Sequence, residues 1–157
     1  MWLTGTAQTA LHAVVCIAQH GGGEPMRVDD VAARLATPRN YLSKTMHQLA
    51  RSGVLASIRG PHGGFKLGRP AAEIALVDVV DPFTARVARR CLLGRATCGD
   101  ADPCPAHRRW SALATSLELF FSRTTVADLL VAPELFPPLE SPLTQATECA
   151  DVSTRSG

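Results

Sequence analysis

Acidic side chains are nearly missing from one stretch of this sequence. Between Arg27 and Arg69 only Asp29 and Asp30 stand against eight basic residues: Arg27, Arg34, Arg39, Lys44, Arg51, Arg59, Lys66 and Arg69. The stretch carries a net +6, so the remainder of a chain whose total is +2 carries −4. A positive field concentrated on part of a small protein is the electrostatic footprint of a nucleic-acid binder, although a solvated basic face would give the same charge count. A long hydrophobic run is lacking too. The mildly apolar stretch from Trp2 to Gln19 has no basic region before it, is broken by Thr, Gln and His, and is followed by no small-residue cleavage site, which argues against a signal peptide and a membrane span. The expected location is the cytoplasm, a reducing compartment. There the five cysteines, Cys16, Cys91, Cys98, Cys104 and Cys149, read as thiols open to ligation and not as a disulfide framework. Also missing are a Walker-type phosphate loop, a nucleophile with its base and paired carboxylates, so no enzyme is expected. With 157 residues, 46% of them hydrophobic, the chain can bury one core and carry an appendage, but hardly two full domains.

Within that frame, helical periodicity is plain. Leu11, Val14, Val15 and Ala18 recur at helical spacing from a start near Thr4 or Thr6 until the glycines at 21 to 23, predicting a first helix. Asp29 and Asp30 are placed to cap a short helix with Val31, Ala32 and Leu35 on its apolar side. Thr37 is then expected as a cap and Pro38 as the first residue of a third helix, with Leu42, Met46, Leu49 and Ala50 buried. Two short helices joined by a tight turn make a helix-turn-helix. The exposed side of its second helix holds Arg39, Asn40, Tyr41, Ser43, Lys44 and Gln48, side chains able to reach phosphates or base edges. The same geometry also occurs in proteins that never touch DNA.

After Gly53, residues 54–58 predict a strand, residues 59–64 a turn of glycines and proline, and Phe65, Lys66 and Leu67 a second strand. A hairpin directly after a helix-turn-helix is a wing. Its tip carries Arg59 and His62 with Lys66 behind, and its glycines would let backbone approach a phosphate or a narrow minor groove.

Three cysteines and a histidine follow as Cys91-x6-Cys98-x5-Cys104-x2-His107, in a stretch rich in Gly, Pro and Asp. Thiolate sulfur and neutral imidazole are soft or borderline ligands, and four of them in one loop suit a metal or an iron-sulfur cluster. Arg86, Arg89, Arg90 and Arg95 surround the loop with positive charge, which lowers thiol pKa and offsets a negative cluster; contact with phosphate is an equal alternative for them. From Pro105, suited to a first helical turn, Trp110, Leu113, Leu117, Phe120 and Phe121 predict one long amphipathic helix ending at Thr124. So small an N-terminal unit cannot cover that whole stripe, which makes a second copy of the helix its natural cover; folding back on its own domain is the alternative. Thr125 and Asp128 form a capping box for a last helix over 126–131. The predicted class is mainly α with a small β wing. Residues 1–82 form a winged helix-turn-helix domain, 83–106 a cysteine loop, 107–132 the dimerisation helix with a short C-terminal helix, and 133–157 a largely disordered tail.

The opening Trp2-Leu3-Thr4, the stretch from Val31 through the Pro-Arg-Asn-Tyr-Leu of 38–42, the Leu-Ala-Arg-Ser-Gly of 49–53, the Arg-Gly-Pro-His-Gly-Gly-Phe-Lys-Leu-Gly of 59–68 and the cysteine loop together resemble one family. It is the IscR/NsrR family of winged-helix bacterial transcription regulators, matched from about residue 2 to 131. The resemblance implies a homodimer on palindromic promoter DNA, a [2Fe-2S] or [4Fe-4S] cluster on Cys91, Cys98 and Cys104, and an operator affinity tuned by cluster state, as in a repressor that senses redox, nitric oxide or iron-sulfur status. The first cysteine gap is six residues where the commoner family spacing is five, an insertion that irregular backbone absorbs. His107 occupies the place where the IscR-like branch supplies its fourth ligand. The NsrR-like branch uses a carboxylate from the partner's first helix, where this chain has Gln8, and His12, one turn further on, is the alternative fourth ligand. Each histidine also reads as an ordinary surface or core residue. Three rival readings keep the loop but change its role: a structural Cys3His zinc site, a metal-free thiol switch, and an electron carrier, for which a basic winged helix has no use.

Overall fold

The computed structural model describes residues 3–84, 93 and 103–131. Helix α1 (Gly5–His20) starts where Thr4 accepts the Ala7 N–H on its hydroxyl at 3.1 Å, and it buries Ala7, Ala10, Ala13, Val14, Cys16 and Ile17. Small residues on that face let neighbouring helices pack closely, so α1 touches α2 (Val28–Arg34), α3 (Arg39–Arg51), α4 (Leu76–Val80) and α6 (Val126–Leu130). It is the central element. The remaining long helix, α5 (His107–Arg123), packs against α4.

Helices α2 and α3 form the expected pair with shifted ends. Arg27 stands at the N-cap of α2, which puts Asp29 and Asp30 in its first turn, where carboxylates favour the positive end of the helix dipole without capping it. Pro38 is the N-cap of α3 and not its first residue, and the Thr37 hydroxyl donates to the Leu35 carbonyl at 3.0 Å, inside the turn. The shifted start of α3 follows from the turn, which is closed by Ala36 in the left-handed region (φ 46°) and by Thr37 N–H donating to the Ala32 carbonyl at 3.0 Å. The buried face of α3 is Leu42, Thr45, Met46 and Leu49.

The wing is a two-stranded antiparallel sheet, β1 (Leu55–Ile58) on β2 (Gly64–Leu67), in the register Leu55 with Leu67 and Ser57 with Phe65. Phe65 is buried, and its backbone pairs with Met26 through bonds of 2.8 and 2.9 Å in both directions. The glycines serve this packing. A Cβ at Gly64 would meet the Met26 oxygen at 2.3 Å, and one at Gly63 the Ile58 oxygen at 2.4 Å. Only Gly60 of the tip, with φ 112° and open space about it, is glycine for its backbone conformation.

Helix α4 has no counterpart among the predicted elements. Its Leu-Val-Asp-Val-Val run has the β-branched content of a strand. Asp78 makes it a helix by accepting the Ala75 N–H at 3.3 Å, while Arg69 donates to the same carboxylate at 2.9 Å. Helix α5 starts at His107, leaving Pro105 and Ala106 in the preceding turn. At its other end the chain returns to the core: Leu76 N–H donates to the Thr124 carbonyl and Val126 N–H to the Ile74 carbonyl, both at 2.9 Å. Thr125 and Asp128 form the expected capping box, and α6 ends at Leu130, one residue short of the expected end. Phe121 and Val126 are buried in the same core as α1. The long helix is thus anchored on the N-terminal unit at its C-terminal end, the fold-back alternative realised in part. No helix among the described residues is long and apolar enough to cross a membrane. The expected tail, 133–157, lies outside the described residues.

Candidate nucleic-acid interface and metal centre

Burial of Leu42, Thr45, Met46 and Leu49 turns the opposite face of α3 outward. Arg39, Asn40, Tyr41 and Lys44 are exposed there, and Ser43 is half-buried. His47 and Arg51, absent from the sequence-based set, continue the row from Asn40 and Lys44 at steps of three and four and are exposed as well. Helical spacing alone would have found them. Two residues of the predicted face are engaged inward: the Tyr41 hydroxyl donates to Thr6 Oγ1 at 2.8 Å, and Gln48 Nε2 donates to the Pro82 carbonyl at 2.6 Å. Such bonds, 35 and 34 residues apart in sequence, tie α3 to the start of α1 and to the turn that follows α4.

The strands of the wing lie beside that helix. The His47 ring meets the Phe65 ring edge-on at 5.1 Å, tying α3 to β2. Arg59 and His62 are exposed at the tip and Lys66 is half-buried behind it. Arg27, from the start of α2, reaches across to donate Nη2 to the Pro61 carbonyl at 2.7 Å, which pins the tip to the helix-turn-helix. Recognition helix and wing are therefore braced as one surface bearing Arg39, Lys44, Arg51, Arg59 and His62. An array of guanidinium, ammonium and imidazole donors on a braced helix and hairpin is the chemistry that meets phosphates and base edges.

At the other candidate site, Cys91 and Cys98 lie outside the described residues, as do Arg86, Arg89, Arg90 and Arg95. Cys104 and His107 are described, and both are buried, each with 7% of its surface exposed. They stand one turn apart at the head of α5, where His107 N–H donates to the Cys104 carbonyl at 2.9 Å. A buried thiol and a buried imidazole three residues apart are donor types that suit a cluster or a metal ion. His12 is half-buried on α1, and burial holds its imidazole below the usual histidine pKa, toward the neutral form that ligates. Cys16 is buried in the core of α1; desolvation pushes its thiol up, against the opposing charge of Arg34, so it is no reactive thiolate. Cys149 lies outside the described residues.

A winged helix followed by a long helix is a fold found in known proteins. The model of the Rrf2 family, iron-dependent transcriptional regulators, matches residues 3–132. The chain belongs to the Rrf2 family. Among its relatives, an HTH-type transcriptional regulator of Aquifex aeolicus is 37% identical over 117 residues, covering 71% of this chain and 81% of that protein. The HTH-type transcriptional regulator IscR of Serratia proteamaculans is 33% identical over 131 residues, covering 83% and 79%. The solved structure of CymR, the global cysteine regulator of B. subtilis, shares the fold with a TM-score of 0.70 at 22% identity, covering 82% of this chain and 95% of that one. The expected winged-helix class is thus correct, and the chain is an Rrf2-type transcriptional regulator.

Proposed function

We propose that this Rrf2 regulator is a cytoplasmic, DNA-binding homodimer, a repressor whose operator affinity depends on an iron-sulfur cluster held by Cys91, Cys98 and Cys104 with His107 as fourth ligand. The observation that carries the reading is the buried Cys104 and His107 pair at the head of α5, on the same chain as an exposed basic recognition surface. When bound, the cluster supplies a redox-active inorganic centre. The protein's own residues do the rest. Cys104 and His107 fix the first turn of α5, while Phe121, Thr124 and Val126 fix its end to the winged helix. Leu113 and Phe120 stay more than half exposed along it. That uncovered stripe is the surface a second copy covers, and the two long helices then set the separation of two α3 helices. Palindromic half-sites require that separation to be about 34 Å. A shift of the head of α5, where Cys104 and His107 stand, changes that separation, and operator affinity changes with it.

Anaerobic purification followed by visible absorption and iron and sulfide counts tests the ligand set. Wild-type protein is expected to be coloured, with iron and acid-labile sulfide in equal amounts, and each of Cys91→Ala, Cys98→Ala and Cys104→Ala to lose both. A colourless protein with stoichiometric zinc would make the loop a structural staple, and one with neither metal but a reversible disulfide would make it a thiol switch. Both results contradict the cluster.

A further inference from the structure

Arg39 occupies an unfavourable place. It opens α3, a helix with no acid in its first turn, so its guanidinium sits at the end where unsatisfied N–H groups already present partial positive charge. The fold supplies its counter-charge from another element: Arg39 Nε donates to Asp29 Oδ1 of α2. Both side chains are more than half exposed, at 61% and 62%, and an ion pair this open to water adds little to folding. The pair lies at the N-terminal end of the recognition helix, the end that reaches base edges in helix-turn-helix complexes. With Nε engaged by the carboxylate, the two Nη groups remain as a planar donor fork.

We propose that Asp29 is a specificity-determining positioning residue: it holds the Arg39 guanidinium so that its Nη fork meets the O6 and N7 acceptors of a guanine at one position in each half-site. The inference rests on the DNA-binding reading above. An unrestrained arginine beside a duplex is drawn to the nearest phosphate, which carries no sequence information. A carboxylate on Nε opposes that in two ways: it fixes the last torsions of the side chain, and its own charge repels phosphate oxygens. What remains favourable for the fork is the base edge with two acceptors, and guanine is the base that offers them in the major groove.

The test uses the full-length protein and a randomised duplex library, sequenced after selection, followed by titrations on the selected site and on its single-base variants. Wild type is expected to prefer guanine at one position per half-site by at least about fivefold. Arg39→Ala should abolish the preference there and nowhere else. Asp29→Ala should flatten the same position while affinity for unrelated DNA stays equal or rises, and it should add nothing when combined with Arg39→Ala. Asp29→Asn, which keeps an acceptor but loses the charge, should fall between. Both side chains being exposed, the thermal midpoints of these variants should stay close to wild type, Asp29→Ala losing only the small first-turn charge effect on α2, which separates positioning from folding. Unchanged discrimination in Asp29→Ala, or an Arg39→Ala loss spread evenly over all sequences, would overturn the inference and leave DNA binding standing. No salt-dependent binding of wild type to any duplex would overturn both.

Discussion

Helices α3 and α5 are both amphipathic, of 13 and 17 residues, yet they dispose of their apolar stripes in opposite ways. In α3 the stripe is finished inside its own domain: Leu42, Met46 and Leu49 are wholly buried, and what faces outward is a row of cations and amides. In α5 only His107 and Phe121, near the two ends, are buried, while Leu113, Leu119 and Phe120 stand 44–53% exposed between them. An open groove of about 570 Å³ along its first turns is lined by Leu93, Pro105, Ala106, Arg109, Trp110 and Leu113. The first helix is complete and offers a polar surface to a polar partner. The second is incomplete and offers an apolar one, which water disfavours and a second copy of the helix would cover. With a second copy on α5, as proposed, one chain would separate reading from assembly by how far each helix is buried.

The contrast can be broken from either side. Leu49→Ala, which opens a cavity beneath α3, is expected to cost about 2–5 kcal/mol, measured as a lower denaturant midpoint with concomitant loss of DNA binding. Leu113→Asp on α5 should leave that midpoint in place for the monomer while weakening self-association about a hundredfold or more, read by analytical ultracentrifugation. Thr125→Ala, which removes the cap that turns the chain back onto the core after α5, should cost about 1 kcal/mol. The same cap gives a pH signature. The Thr125 N–H, and then its hydroxyl, hold the Asp128 carboxyl below the usual carboxylate range. Its contribution is therefore present above the ordinary aspartate pKa and is lost as pH falls through the lower folded value, a dependence that Asp128→Asn should remove from an acid titration followed by circular dichroism. Lys44→Ala should give the smallest effect: affinity a few-fold lower on every sequence alike, with the slope of log affinity against log salt reduced by about one per site.

Much of this architecture was legible in the sequence because it rests on local signals. The periodicity of α1, α3 and α5, the capping box at Thr125 and the glycine-rich wing each lie within a few residues of the structure they specify. What escaped depends on contacts between distant residues. The β-branched run of α4 carries no helical signal, and it is held as a helix by Asp78 and by packing on α1 and α5. The glycines at 63 and 64 suggest access for a nucleic acid, whereas they admit the close approach of Ile58 and Met26 backbone. Gln48 reads as a free donor on α3 until the Pro82 carbonyl, 34 residues away, is found within its reach. In the candidate metal centre, Cys104 and His107 were legible as neighbours from their spacing. Their shared burial was not, since it comes from the tertiary setting of the head of α5.

The proposed switch requires the cysteine loop to control the recognition surface. The direct measurement is operator affinity, on one sequence obtained by selection, for anaerobically purified wild type and for Cys104→Ala prepared side by side and matched in oligomeric state and thermal midpoint. The expected result is an affinity for the operator that differs at least about tenfold between the two, with affinity for unrelated DNA unchanged. Equal operator affinity would contradict a cluster-controlled switch and leave a winged-helix regulator whose cysteines play no part in its switching.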